Sequence, residues 1–438
     1  MKNNFELLAP AGDMEKLKTA LHFGADAVYF AGKKFGLRAF ASNFEDLAEP
    51  INYCHERGKK AYVTINIYPR NNDLDSLESY IKDVAKLKPD GVIVSDIGVM
   101  NMINRVAPEL DIHISTQANT TNVASALAYA EHFNAKRVVL ARELPLNDVE
   151  QITRALMLKG VETEVFVHGA MCISYSGRCL LSNYLTGRDS NRGECVQPCR
   201  YSYSLTENFD DASSEKFKEQ RQDNHMEIME DNRGTYILNS KDMCLIEHIE
   251  KIMSAGVKSF KIEGRMKSPY YLGVVVNAYR RAIDAVISGR EDSSLKKKDY
   301  VAELEKCSHR KFTTGFMVDD GAVRQNYETS HQTQTTNFLG IIKDKRPISA
   351  TGQIELLIEM RNKFSVGDEV EMLSPTGAFN KKFKIVSIKT LNEEKIDVAK
   401  NVQARLWVGL ELAGSKDKSG LESINLLSEV LVGDIIRG

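Results

Sequence analysis

The sequence predicts an α/β protein: a (β/α)8 barrel carrying a Cys-rich insertion, followed by a small C-terminal antiparallel β-barrel domain. Three observations predict it. Roughly the first 290 of the 438 residues alternate short β-branched runs with longer helical patterns, about eight times over. Each short run is nearly continuous in apolar residues, as expected of strands buried on both faces. Beyond Cys307 the pattern changes to alternating strands separated by Gly-Asp, Pro-Thr-Gly and Lys-Asp turn signals. An open doubly wound sheet satisfies the first two observations equally, since no single strand records whether its sheet closes.

The expected barrel strands are Glu6–Ala9, Ala27–Ala31, Ala61–Ile67, Gly91–Ser95, Asp111–Ser115, Arg137–Ala141, Glu162–Val167 and Ser259–Glu263. Between them, segments such as Leu74–Leu87 and Leu146–Leu158 place apolar residues near helical spacing. Asn119 to Asn122 and Asp242 are expected to cap helices, because their side-chain oxygens can accept otherwise unpaired first-turn amides. The seventh unit is interrupted. After Val167 the chain runs through a Cys-rich stretch and then Glu207–Arg233, a polar, acid-rich segment expected as a mobile loop. Asn239–Ile249 resumes a helical pattern before the eighth strand, and Tyr270–Ile287 reads as a long final helix. The barrel domain is therefore expected over 1–325, with its insertion at about 168–235, and the second domain over 333–438. The second domain's expected strands are Gln353–Met360, Glu369–Leu373, Phe383–Lys389 and Leu406–Leu412. Trp407, the only tryptophan, falls in the last of these and is expected in the core.

A composition of 42% hydrophobic and 27% charged residues, with 10 Pro and 28 Gly, excludes collagen-like and wholly disordered classes. No apolar run approaches the roughly 18–20 residues that span a bilayer. Glu6 interrupts the start where a secretory signal would be apolar, so a cytoplasmic protein without membrane contact is expected. Lys+Arg 58 against Asp+Glu 60 gives a net charge of -2, so a polyanion has to be met by a local patch.

Seven cysteines in a long chain without an export signal argue against a disulfide framework. Cys54, Cys244 and Cys307 are scattered, whereas Cys172, Cys179, Cys195 and Cys199 fall within one short stretch. Structural zinc usually takes tighter cysteine knuckles, while an iron-sulfur cluster accepts thiolates from more widely spread loops. A [4Fe-4S] cluster is the leading reading, with zinc and unligated thiols as alternatives.

Glu164-Val165-Phe166-Val167-His168-Gly169-Ala170-Met171-Cys172-Ile173-Ser174-Tyr175-Ser176-Gly177-Arg178-Cys179 closely resembles the signature of the collagenase-like peptidases, family thirty-two among peptidases of unassigned mechanism. Leu8-Ala9-Pro10-Ala11-Gly12, Ser190 to Arg200, Asn239-Ser240-Lys241-Asp242 and Lys261-Ile262-Glu263-Gly264-Arg265 extend the resemblance over nearly the whole chain. The double-domain layout is similar to a branch that makes 5-hydroxyuridine at the wobble position of tRNA. That resemblance implies an iron-sulfur cluster held by the four clustered cysteines, a dependence on the dicarboxylate prephenate, and tRNA as partner. Some members of the family recruit a cluster ligand from elsewhere, which makes Cys244 the substitute to follow.

Barrel geometry places chemistry at the carboxyl ends of the strands. That rule selects Pro10, Gly12, Asn66, Asp96, Gln117, Asn119, Arg142, Glu143, His168, Lys261, Glu263 and Arg265. His168 and Glu263 are the candidate catalytic groups, His168 as a proton relay beside the cysteines. Gln117, Asn119, Arg142, Glu143, Lys261 and Arg265 are the candidate substrate-binding groups, with the arginines and the lysine receiving carboxylates or phosphates. A salt-bridge ring joining these cations to Glu143 and Glu263 is the bland alternative. For RNA, Arg178, Arg188, Arg192 and Arg200 interleave with Tyr175, Tyr184, Tyr201 and Tyr203, a mixture suited to phosphates and unpaired bases. A peptidase with a His168–Cys172 dyad is the second enzyme reading; an iron-sulfur RNA-binding or assembly factor is the non-catalytic one.

Overall fold

A computed structural model of the protein describes residues 5–37, 42–201, 203–206, 216–219, 240–290, 299–318, 332–347, 354–414 and 421–438. The expected mobile loop over 207–233 lies outside the described residues apart from 216–219. The chain divides into two compact units. The first comprises Met1–Leu17, Asp26–Met266 and His309–Gln332, and the second Lys18–Ala25, Lys267–Ser308 and Thr333–Gly438.

In the first unit, β1 (Glu6–Pro10), β2 (Ala27–Phe30), β3 (Lys60–Ile65), β4 (Gly91–Val94), β5 (Ile112–Ile114), β6 (Ala135–Val139) and β7 (Glu162–Ala170) pair in parallel in chain order. The hairpin β8 (Tyr203–Thr206) and β9 (Lys216–Glu219) and the short β10 (Asp242–Cys244) precede β11 (Ser259–Ile262). β11 pairs with both β1 (Glu6↔Ser259) and β7 (Ser259↔Glu164), so the eight parallel strands close into the predicted barrel. Helices α1 (Met14–His22), α2 (Ala48–His55), α3 (Leu74–Lys86), α4 (Ile97–Val106), α5 (Val123–His132) and α6 (Leu146–Met157) join the successive strands. In α3 the buried Leu77, Ile81, Val84 and Ala85 recur at helical spacing, which is why this segment coils rather than extends.

Of the expected caps, Asn122 accepts from the Ser125 amide at the start of α5. Asn119 instead sits left-handed at φ 55, closing a single turn rather than opening a helix. Asp242 is not a cap at all. It lies in β10, antiparallel to the end of β7, and its buried carboxylate accepts from Arg310 Nη1 at 3.1 Å. The segment expected to be helical from Asn239 therefore begins as a strand; the helical part is α8 (Ile249–Ser254), preceded by a single turn. The short β12 (Phe312–Thr313) pairs with β10. A six-residue helix, α7 (Leu181–Thr186), lies within the Cys-rich stretch.

The second unit holds α9 (Pro269–Ser288), α10 (Tyr300–Leu304) and the strands β13 (Phe338–Pro347), β14 (Ile354–Met360), β15 (Phe364–Ser365), β16 (Glu369–Leu373), β17 (Lys382–Lys389), β18 (Val398–Ala399), β19 (Arg405–Leu412) and β20 (Ile435–Arg437), with α11 (Leu421–Glu429) before the last. Six of them close an antiparallel barrel in the order β13-β14-β19-β17-β16-β20. Its core comes from alternating positions such as Leu356 and Ile358, Phe383 and Ile385, and Leu406 and Val408. That alternation turns Trp407 outward, against the expectation of a core position. The ring is half-buried and lies under the Arg346 guanidinium, 4.1 Å away. α9, expected as the barrel's last helix, is grouped with this unit. It is buried from Tyr270 through Tyr279 and needs cover on more than one side, some of it from Phe23 and Ile435 against Gly273.

Candidate functional site

A cavity opens at the carboxyl ends of the parallel strands, the end at which such barrels carry their chemistry. Deeper in the barrel interior, strands that otherwise read as apolar carry charged residues. Glu6 on β1 and Arg137 on β6 are not on neighbouring strands, yet Arg137 Nη1 donates to Glu6 Oε1 at 2.6 Å, so the pair crosses the barrel interior. The same nitrogen donates to Glu164 Oε2 at 3.1 Å, and Arg137 Nη2 reaches Glu162 at 2.5 Å. Ser259 Oγ donates to Glu164 Oε2 at 2.9 Å and lies 3.1 Å from Glu6 Oε1. Lys261 then carries the network up to the cavity, its Nζ donating to Glu164 Oε1 at 2.7 Å. Burial lowers the Lys261 pKa; Glu164 opposes this, and Arg137 and Arg142 reinforce it. Burial pushes Glu6 up, but Arg137, Lys60 and Tyr62 together hold its carboxyl below the ordinary value.

Above Lys261 the cavity wall carries Tyr29, Thr64, Asn66, Gln117, Arg142, Phe166, Glu263 and Arg265. Arg142 stacks 4.0 Å above the Phe166 ring and donates Nη1 to the Ala170 carbonyl at 2.7 Å. It pairs with no carboxylate among the described residues, and its Nε is buried without a hydrogen-bond partner there. Arg265, 3% exposed, donates to Thr64 Oγ1 at 3.3 Å. Gly12 is required beneath it, since a Cβ there would stand 2.6 Å from the Arg265 carbonyl oxygen.

The Cys-rich stretch roofs this cavity, and three staples hold it to loops that follow barrel strands. The Ser176 amide and hydroxyl donate to Glu143 Oε1 at 2.8 and 3.1 Å. Gly177, at φ +73, passes so close to the Gln117 carbonyl oxygen that a Cβ would approach it to 2.0 Å. Arg192 forks onto Asp73 at 2.6 and 3.3 Å. Held this way, Cys172, Cys179, Cys195 and Cys199 all line the same cavity. Cys172 is exposed and the other three are partly buried. Burial, with the other three thiols adding to it, pushes the Cys199 thiol up to about 11. Among the described residues no three His, Cys, Asp or Glu side chains gather closely enough for a single metal ion.

The site residues expected from sequence therefore separate. Gln117, Arg142, Lys261, Glu263, Arg265 and the four cysteines share the cavity. Glu143 and Arg192 are staples of the roof rather than free ligand contacts. Asp96 caps α4, accepting from the Val99 amide at 3.0 Å. Asn119 does not line the cavity, and its Nδ2 is buried without a partner among the described residues. His168 is 2% exposed, packs its ring 5.6 Å from Phe312 and lies outside the cavity wall, as does its cross-strand partner Cys244. Arg178 and Arg188 are exposed, whereas Arg200 donates to Gln197 Oε1 at 2.5 Å. Tyr175, 63% exposed, stands at the cavity, and Tyr184 is 81% exposed. The Tyr203 side chain lies outside the described residues. The salt-bridge ring takes other partners than expected: Lys261 pairs with Glu164, not with Glu143 or Glu263. Glu164 and Arg137 were missed, although two charged residues inside apolar, doubly buried strands are themselves a signal.

Residues 12–326 match the family model described as Peptidase family U32, and residues 334–420 match the Peptidase family U32 C-terminal domain. The chain is 38% identical to tRNA hydroxylation protein P1 of Bacillus subtilis, covering 84% of this chain and 83% of that protein. It is 36% identical to tRNA hydroxylation protein P of Escherichia coli, covering 92% and 93%. To a collagenase of Porphyromonas gingivalis it is 34% identical, covering 85% and 87%. Matched by the family model over most of its length, and by relatives along both of its units, the chain belongs to peptidase family U32.

Proposed function

We propose that this chain is an RNA-hydroxylating enzyme that takes part in prephenate-dependent 5-hydroxyuridine formation at the wobble position of tRNA. The observation that carries the reading is its similarity, over 92% of the chain, to a protein named for tRNA hydroxylation. The cavity supports it through the four cysteines and two arginines that line it, a set that peptide hydrolysis does not need. Cys172, Cys179, Cys195 and Cys199 would hold a [4Fe-4S] cluster, which supplies redox or Lewis-acid chemistry. Arg142 and Arg265 would take the carboxylates of prephenate or a similar small dicarboxylate, and Glu263 lines the same cavity. Arg178 and Arg188 are exposed and would meet phosphates, with the exposed Tyr175 and Tyr184 meeting an unpaired base drawn toward the cavity. Among the described residues no helix is long and apolar enough to cross a membrane, and tRNA as substrate implies a cytoplasmic setting.

The collagenase among the relatives favours a peptidase as the second reading. A cysteine peptidase needs a base within reach of its thiol. Cys172 lines the cavity, whereas the His168 ring faces Phe312 outside it. Mass spectrometry of digested tRNA from cells lacking this protein and any paralogue is the test: 5-hydroxyuridine derivatives are expected to disappear and to return on complementation. Normal levels at several oxygen tensions would return the peptidase or assembly-factor reading to first place, and cleavage of collagen-type peptides by the purified, cluster-replete protein would select the former.

A further inference from the structure

Lys261 is the one lysine in the cavity wall, among the described residues, and it is 4% exposed. Its Nζ lies 4.5 Å from the centroid of the Tyr29 ring and 5.4 Å from that of Phe166, so apolar faces limit the water around it. Glu164 Oε1 accepts from it at 2.7 Å, while Glu164 Oε2 is fixed by Arg137 and Ser259. The amine thus has a carboxylate of set orientation beside it and the two cavity arginines, Arg142 and Arg265, in the same wall.

We propose that Lys261 captures a 2-oxo carboxylic acid covalently, its amine condensing with the ligand carbonyl while Arg142 or Arg265 holds the carboxylate. The ligand class rests on the carboxylate reading of the cavity given above, prephenate being itself a 2-oxo acid; the RNA reading is not needed. The ammonium first gives a proton to Glu164, and the neutral amine adds to the carbonyl carbon. Glu164 returns the proton to the carbinolamine hydroxyl, which leaves as water as the carbon–nitrogen double bond forms. Ammonium and ketone become protonated imine and water, with no oxidant or reductant consumed and the charge opposite Glu164 preserved. The lowered pKa of Lys261 enlarges the neutral fraction that this addition uses. An exposed lysine such as Lys60, 53% open at its side chain, lacks these conditions.

The test uses the full-length protein incubated with pyruvate or phenylpyruvate and reduced with cyanoborohydride, followed by peptide mapping. The expected result is one stoichiometric reduced adduct, on the peptide containing Lys261. Lys261→Arg should abolish it while keeping a cation for Glu164, and Glu164→Gln should slow its formation on the order of 100-fold. Wild-type mapping identifies the lysine even if a variant fails to fold. No adduct with either acid, or adducts spread equally over exposed lysines, would overturn the proposal and leave the tRNA test untouched. Loss of hydroxylated tRNA in the null strain alongside an unmodified Lys261 separates the two failures.

Discussion

Arg142 is held by a backbone carbonyl, which accepts without neutralising it, and Arg265 donates to a threonine hydroxyl. Arg142 pairs with no carboxylate among the described residues, and a cation kept so in a partly buried wall favours an anionic ligand, because an uncompensated buried charge is costly. Arg142→Ala or Arg265→Ala is expected to lose about 1.5–3 kcal/mol of dicarboxylate affinity, roughly tenfold to a hundredfold. Calorimetric titration with prephenate measures it, and unchanged affinity in both variants would show that these arginines serve the fold alone. His113 yields a pH prediction at the same scale. Its ring sits 4.7 Å from Tyr62 inside the barrel, and burial first, then Arg137, Lys261 and Lys60, lowers its pKa well below the ordinary 6.5. Below pH 6.5 the unfolded chain binds a proton there that the folded chain refuses, so stability falls as pH falls, by at most about 1.4 kcal/mol per pH unit from this group. Denaturant melts of wild type and His113→Phe between pH 7.5 and 5 should diverge in slope, the variant being flatter.

At the scale of elements, the roof over the cavity is too short and irregular to fold on its own account; α7 has six residues. Its position comes from Ser176, Gly177 and Arg192, each bonded to or pressed against a loop that follows a different strand. The proposed cluster should therefore be lost when a staple is cut as well as when a thiol is removed. Anaerobically prepared protein is expected to contain about four irons and four sulfides per chain. Cys172→Ala, Cys179→Ala, Cys195→Ala or Cys199→Ala should lose most of that iron, and Cys244→Ala should keep it. Glu143→Ala should fold but release iron to a chelator faster, because the Ser176 amide and hydroxyl lose their acceptor. Gly177→Ala adds a methyl against backbone at a left-handed φ, and should cost more than Glu143→Ala in both stability and iron retention. Stoichiometric zinc without iron after anaerobic reconstitution would contradict the cluster.

Across the whole molecule, the (β/α)8 pattern was legible because strands buried on both faces are written as apolar runs. All eight expected runs became barrel strands, each within a few residues of its expected bounds. That the four cysteines belong together was legible from their spacing in one short stretch, and they do line one cavity. Other features had no local signature. β13 and β20 complete the second barrel, but β13 ends in a charged run, Lys343–Arg346, and β20 has only three residues, so neither shows a clear alternation in isolation. Asp242 looked like a cap until β10 paired with β7 and Arg310 came to meet it. By itself, the sequence determined the eight barrel strands and most of the helices between them, because periodicity is a property of neighbouring residues, and it determined which residues carry soft or charged side chains. Only the tertiary structure decided which charges answer each other. Glu6 and Arg137 are 131 positions apart, and Glu164 and Lys261 are 97 apart. They meet because barrel closure brings distant strands to one interior, where a charge removed from water must find whatever partner the geometry supplies.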